Sequence, residues 1–93
     1  MQLQAKLVQV MPATEGVSAQ GIQWKRQQFI VETMEQYPKT ICLEVNGFNR
    51  IEGITAKLND IVQVDFEIVS REYQGRWYTQ IQAWRIQTVG AYN

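Results

Sequence analysis

Histidine is absent from this sequence, and cysteine occurs once, at Cys42. The first absence removes the Ser-His-Asp triad, the Cys-His pair and the His-ligated zinc site together. The second removes an internal disulfide framework and a thiolate cluster for a structural metal. Cys42 itself reads as a small buried or half-buried strand residue. Net charge is also lacking, because nine Lys and Arg balance nine Asp and Glu. Bulk electrostatics therefore cannot hold nucleic acid, and any such binding has to be local. No apolar run approaches the ~18 residues that span a membrane, and the first residues do not follow a basic-then-apolar signal pattern. The expectation is a soluble, cytoplasmic protein with no membrane partner. Glu44, Asp60, Asp65 and Glu67 raise the question of carboxylate chemistry, but no phosphate loop or metal-ligand spacing accompanies them. No enzymatic activity, cofactor, metal or small-molecule substrate is expected.

What is present favours strands. The 93 residues, 45% of them hydrophobic, suffice for one modest core, so residues 1–93 are expected to form one domain. Gln2 to Met11 reads as a first strand ended by Pro12, and residues 12–21 as a polar connection with no sustained pattern. Ile22 to Met34 is a long second strand. Pro38 makes a turn of the preceding residues. From Lys39 to Asn46, Ile41, Leu43 and Val45 point one way and Thr40, Cys42, Glu44 and Asn46 the other, as in a half-buried third strand. Phe48, Ile51, Ile54 and Leu58 then fall at helical spacing, which predicts a short helix over 48–58 despite Gly53. Ile61 to Tyr73 and Trp77 to Val89 complete a hairpin. This order predicts an all-β fold: a five-stranded Greek-key OB-fold barrel with its short helix between the third and fourth strands and a long hairpin between the fourth and fifth.

Gln74-Gly75 suits a two-residue turn, with Gly75 supplying positive φ. The cross-strand partners are then Tyr73 with Arg76, Glu72 with Trp77, Arg71 with Tyr78, Ser70 with Thr79, Ile68 with Ile81 and Phe66 with Ala83. This register gathers Val62, Val64, Phe66, Ile68, Ile81 and Ala83 on an inward face. Glu67, Arg71, Tyr73, Arg76, Tyr78 and Gln82 take the outward one. Trp84 and Ile86 break the alternation, which predicts a bulge near Ala83 or packing against a partner chain.

The far end of the hairpin interleaves cations with rings at Arg71, Tyr73, Arg76, Trp77 and Tyr78. Bases stack on aromatic faces while guanidinium groups neutralise phosphates, so the pattern suits single-stranded nucleic acid. The competing reading is a cross-strand cluster that only stabilises an exposed hairpin. A second cluster, Trp24, Lys25 and Arg26, lies on the second strand. If Phe29 and Val31 face the core, Trp24, Arg26 and Gln28 point outward, though Trp24 as a barrel-end plug stays open. Lys39 and Lys6 extend the patch.

Segment 70–86, SREYQGRWYTQIQAWRI, resembles the fourth-to-fifth strand hairpin of bacterial single-stranded DNA-binding proteins. Thr40 to Val45, the predicted helix and the Leu58-Asn59-Asp60-Ile61-Val62 strand entry follow in the same order. The chain as a whole is still more similar to a compact bacterial domain family of uncharacterised function on the same OB framework. There the matching stretches are WKRQQFIVET (24–33), the Gln36-Tyr37-Pro38-Lys39 turn and REYQGRWYT (71–79). The resemblance implies binding of single-stranded DNA or RNA, DNA by preference, with little sequence specificity. It carries over Trp24, Tyr73, Trp77 and Tyr78 as stacking positions and implies a homo-oligomer. Typical single-stranded DNA-binding proteins end in a Gly/Pro/Gln-rich tail with an acidic-aromatic tip. This sequence closes on Gly90-Ala91-Tyr92-Asn93, so recruitment by such a tail is not expected. The alternative is a protein-interaction or homo-oligomeric assembly module that uses the same hairpin and Trp84 as its interface.

Overall fold

Period-two alternation builds this barrel, the long strands turning rows of mostly small or branched apolar side chains inward. The computed structural model describes residues 1–91; Tyr92 and Asn93 of the closing segment lie outside the described residues. The elements are β1 (Gln2–Val10), β2 (Thr14–Val17), β3 (Gln23–Thr33), β4 (Thr40–Asn46), α1 (Phe48–Glu52), β5 (Asp60–Tyr73) and β6 (Arg76–Ala91). Ala5 and Leu7, Phe29 and Val31, Leu43 and Val45, and Val62 and Val64 supply the buried rows, joined by Ile51, Ala83 and Ile86.

The sheet runs β1-β5-β6-β4-β3-β2 and closes through pairing of β1 with β3. β1 serves two neighbours, pairing with β5 through Gln2 to Lys6 and with β3 through Ala5 to Val10. Val8 is an extra residue in the second ladder, between the paired Leu7 and Gln9, and bends the strand from one neighbour to the other. β4 and β6 run parallel while the other ladders are antiparallel. With β2 set aside, this is the predicted five-stranded Greek-key arrangement.

The hairpin register agrees with the sequence reading at every pair from Phe66↔Ala83 to Tyr73↔Arg76. Gln74 (φ 51°) and Gly75 (φ 77°) both adopt positive φ, the requirement of a type I′ turn. The break at Trp84 is a bulge. Asp65 pairs with Arg85 and Phe66 with Ala83, which leaves Trp84 without a partner residue on β5. One inserted residue shifts the alternation, so that Ala83 and Ile86 are both buried while Trp84 is exposed.

Four expectations need correction. Residues 12–21 are not purely a connection, since Thr14–Val17 form β2 along the start of β3. The helix is a single turn, Phe48–Glu52, ending at Gly53. Ile54 and Ala56 still pack against the core from irregular chain, and Leu58 is exposed. Cys42 is exposed, because alternation in β4 gives the core to Leu43 and turns Cys42 outward. Ile68 shares a face with Phe66 but is 53% exposed, because the hairpin has already left the barrel at that point.

Candidate nucleic-acid interface

Cross-strand pairs share a face, so the ladders trace the outer surface of the barrel from strand to strand. Gln28 on β3 pairs with Glu44 on β4, Glu44 with Gln82 on β6, and Gln82 with Glu67 on β5. Alternation away from that row places Trp24 and Arg26 on the same outward face at one end, and Gln80, Tyr78 and Arg76 at the other. Arg71 and Tyr73 lie beside Tyr78 and Arg76 across the hairpin. β3 and β6 run in opposite directions, so Trp24 and Tyr78 fall on opposite sides of the row. About eight residues of strand separate them, ~26 Å.

The first pole is built around Trp24. Gly16 of β2 is its cross-strand partner, and the indole lies across it: a Cβ at Gly16 would come within 2.7 Å of Trp24 Cζ2. Glycine is therefore required here for the close approach. The Arg26 guanidinium sits over the indole, 4.8 Å from the ring centroid, and its Nη1 lies 3.9 Å from Glu44 Oε1. Trp24 keeps 36% of its surface exposed, so it does not plug the barrel end.

The second pole is the hairpin tip, where Arg71, Tyr73, Arg76 and Tyr78 form a two-by-two cross-strand array with both rings solvent-exposed. Between the poles lies a shallow depression of about 270 Å³, lined by Gln28, Cys42, Glu44, Thr79, Gln80 and Ile81. Gln82 Nε2 donates to Gln80 Oε1 at 3.2 Å within this stretch.

Three of the predicted residues are not brought together with these. Lys25 occupies the inward alternation of β3, and its ammonium lies over the Phe48 ring, 5.9 Å from the centroid, beneath α1. Trp77 pairs with Glu72 on the hairpin face opposite to Tyr78. It is 68% exposed there, on the same side as Ile68. Lys39 sits in the β3–β4 turn with its Nζ 3.1 Å from Glu35 Oε1. The Lys39 hydrogen bond, then the Thr33 hydroxyl, then the Lys39 charge hold the Glu35 carboxyl below its ordinary range. A depressed carboxylate pKa means that this contact favours the folded turn at neutral pH and is lost as pH falls through the lowered value.

Glu44 was not singled out as a binding residue, yet it occupies the middle of the face. Its proximity to Arg26 depends on the β3–β4 register across the 33–39 turn. Among the described residues, no group of three or more Cys, Asp or Glu side chains is placed to hold a metal ion. No helix among them is long and apolar enough to cross a membrane.

Comparison with known proteins agrees with this architecture. The second OB-fold domain of replication protein A from Methanococcus maripaludis superposes with a TM-score of 0.69 at 15% identity, covering 99% of this chain and 85% of that one. The barrel is thus an OB fold. A small single-stranded DNA-binding protein from Streptomyces coelicolor is similar at a TM-score of 0.46 and 12% identity, over 95% of this chain and 91% of that one. No curated protein matches the sequence. Residues 2–87 match the family described as a domain of unknown function (DUF3127), and the chain belongs to that family.

Proposed function

We propose that this chain is a non-enzymatic, cytoplasmic binder of single-stranded nucleic acid, acting as one OB-fold unit over residues 1–93. DNA is the preferred strand on the sequence resemblance. The observation that carries the reading is the continuity of one outward face, with an aromatic and arginine pole at each end. Bases stack on Tyr73, Tyr78 and the free part of Trp24, while Arg71, Arg76 and Arg26 meet phosphates. The ~26 Å between poles fits the footprint of about 4–16 nucleotides that one OB fold covers.

Three arginines on a neutral protein imply a modest salt dependence. With about 0.7 counterions released per phosphate on a single strand, log K against log salt is expected to fall with a slope near −2. A titration of a fluorescent oligonucleotide from low to moderate salt measures it. Absence of binding at micromolar protein in low salt overturns the reading.

A second reading is favoured by the opposite face of the hairpin. Ile68 and Trp77 stand exposed there, apolar and apart from the arginine array. A second copy of the chain covering this face would make the protein a homo-oligomer without obstructing the outward one. Sedimentation equilibrium is expected to give a multiple of the chain mass that reverts to monomer on Trp77→Ala; a wild-type monomer at high micromolar concentration rules it out.

A further inference from the structure

Glu44 is the unexplained residue of the outward face. A carboxylate midway along a phosphate-binding path repels the backbone of a bound strand. Its contact with Arg26 offers little compensation in stability, because a 3.9 Å pair with a half-exposed arginine at a protein surface contributes close to nothing. The Glu44 side chain is nonetheless only 13% exposed, set into the depression it shares with Gln28, Cys42 and Gln80. Such a group suits a base edge better than a phosphate.

The neighbouring amides define which edge. Gln82 donates to Gln80 Oε1, so Gln80 presents its Nε2 donors while the acceptor of Gln82 remains available beside Glu44, its neighbour across the β4–β6 ladder. The depression therefore offers carboxylate oxygens that accept, next to an amide that donates. Guanine alone among the bases carries two adjacent donors, N1–H and N2–H₂, with an acceptor, O6, following on the same edge. Cytosine and adenine offer one amino donor next to a ring-nitrogen acceptor, and thymine and uracil one N–H between two carbonyls. Each of these sets an acceptor against the carboxylate, and a polar group left unmatched is the strongest source of rejection available to a small site.

Resting on the nucleic-acid reading above, we infer that the depression lined by Glu44 and Gln80, with Gln82 beside it, is a guanine-selective base pocket, with Glu44 accepting from N1–H and N2–H₂ and Gln80 donating to O6. The face then combines sequence-tolerant stacking at its poles with base discrimination at its centre, against the expectation of little specificity.

The test is fluorescence anisotropy with labelled strands of about 12 nucleotides, within the footprint of one OB fold. One strand is all thymidine, one carries isolated guanines spaced to prevent quadruplexes, and one carries inosine, which lacks the 2-amino group, at the same positions. The guanine strand is expected to bind about tenfold tighter than the thymidine strand, with inosine in between. Glu44→Gln is expected to reduce the guanine preference to about twofold or less while thymidine binding holds or improves. Gln80→Ala, which leaves the carboxylate in place, lowers the preference as well and serves if the Glu44 variant fails to fold. Equal binding of all three strands by the wild-type protein overturns the pocket and leaves the broader reading standing, as does a preference that survives both substitutions. Binding of none overturns both.

Discussion

Replacing Arg71 and Tyr78 together with alanine is expected to weaken binding of a single-stranded oligonucleotide by about 30-fold at low salt. The two residues face each other across the hairpin, so one substitution pair removes a stacking ring and a phosphate partner from a single point on the path. Loss of a base-stacking ring costs ~1–3 kcal/mol, and loss of the arginine adds to it, though not in full because neighbouring positions are coupled. The barrel is expected to remain intact, since an exposed cross-strand pair contributes only about 0.2–1 kcal/mol to folding. Anisotropy measures the first effect and a thermal melt the second. Trp77→Ala supplies the control within the same hairpin. It removes a larger ring two residues from the tip but from the opposite face, and is expected to change affinity by less than about threefold. If Trp77→Ala weakens binding as much as the double substitution, the outward face is not the interface. If the double variant binds within twofold of wild type, the hairpin takes no part in binding.

The largest effect on stability is expected at Leu43. This side chain is fully buried in β4, the strand that links β3 to β6, and it pairs with Phe29 across the ladder. Leu43→Ala leaves a cavity beside that ring and is expected to cost ~2–5 kcal/mol, a large share of the ~5–15 kcal/mol that holds a small domain together. In a chain of this size that corresponds to a fall in Tm of more than about 10 °C. Calorimetry or a denaturant melt with an unchanged m-value checks it. Cys42→Ala, one residue along but turned outward, is expected to shift Tm by only a degree or two. The contrast tests the inward and outward assignment of β4.

The hairpin was the most legible part of the molecule. A Gly-containing two-residue turn and two strands of opposite alternation over-determine one register, and a slip by one position would have driven Val62, Val64 and Ala83 into water. The same strictness made Trp84 and Ile86 conspicuous, and a bulge is what the chain uses there. β2 was not legible, because Thr14–Val17 bury no apolar row; their strand conformation follows from pairing with β3, and Gly16 is present to accommodate Trp24. The helix was overestimated for the converse reason. Phe48, Ile51, Ile54 and Leu58 have helical spacing, but Gly53 ends the turn, and Ile54 reaches the core without a helix to carry it.

At the site, outward positions on each strand could be read singly from alternation. Applied strictly it separates Trp77 from Tyr78 and Lys25 from Arg26, yet grouping by sequence proximity kept both pairs together as binding residues. Outside the hairpin, which outward residues meet across strands was beyond reach, because strand order and the register of β3 against β4 depend on closure of the whole barrel. Glu44 is the residue most affected. Seen in sequence it is one more solvated acid on a strand, and only the ladders place it between Arg26 and Gln82.

The bulge at Trp84 has a consequence for solubility. β6 runs from the hairpin tip to Ala91, and among the described residues its ladder with β4 is registered at Gln82 alone, so the rest of its edge facing away from β5 has no registered strand partner there. An uninterrupted edge of that length would be a template on which neighbouring copies could add in β-register. The extra residue interrupts the regular spacing of donors and acceptors, and its indole stands at the break. A feature that re-aims Ile86 into the core therefore also protects the chain against edge-to-edge aggregation.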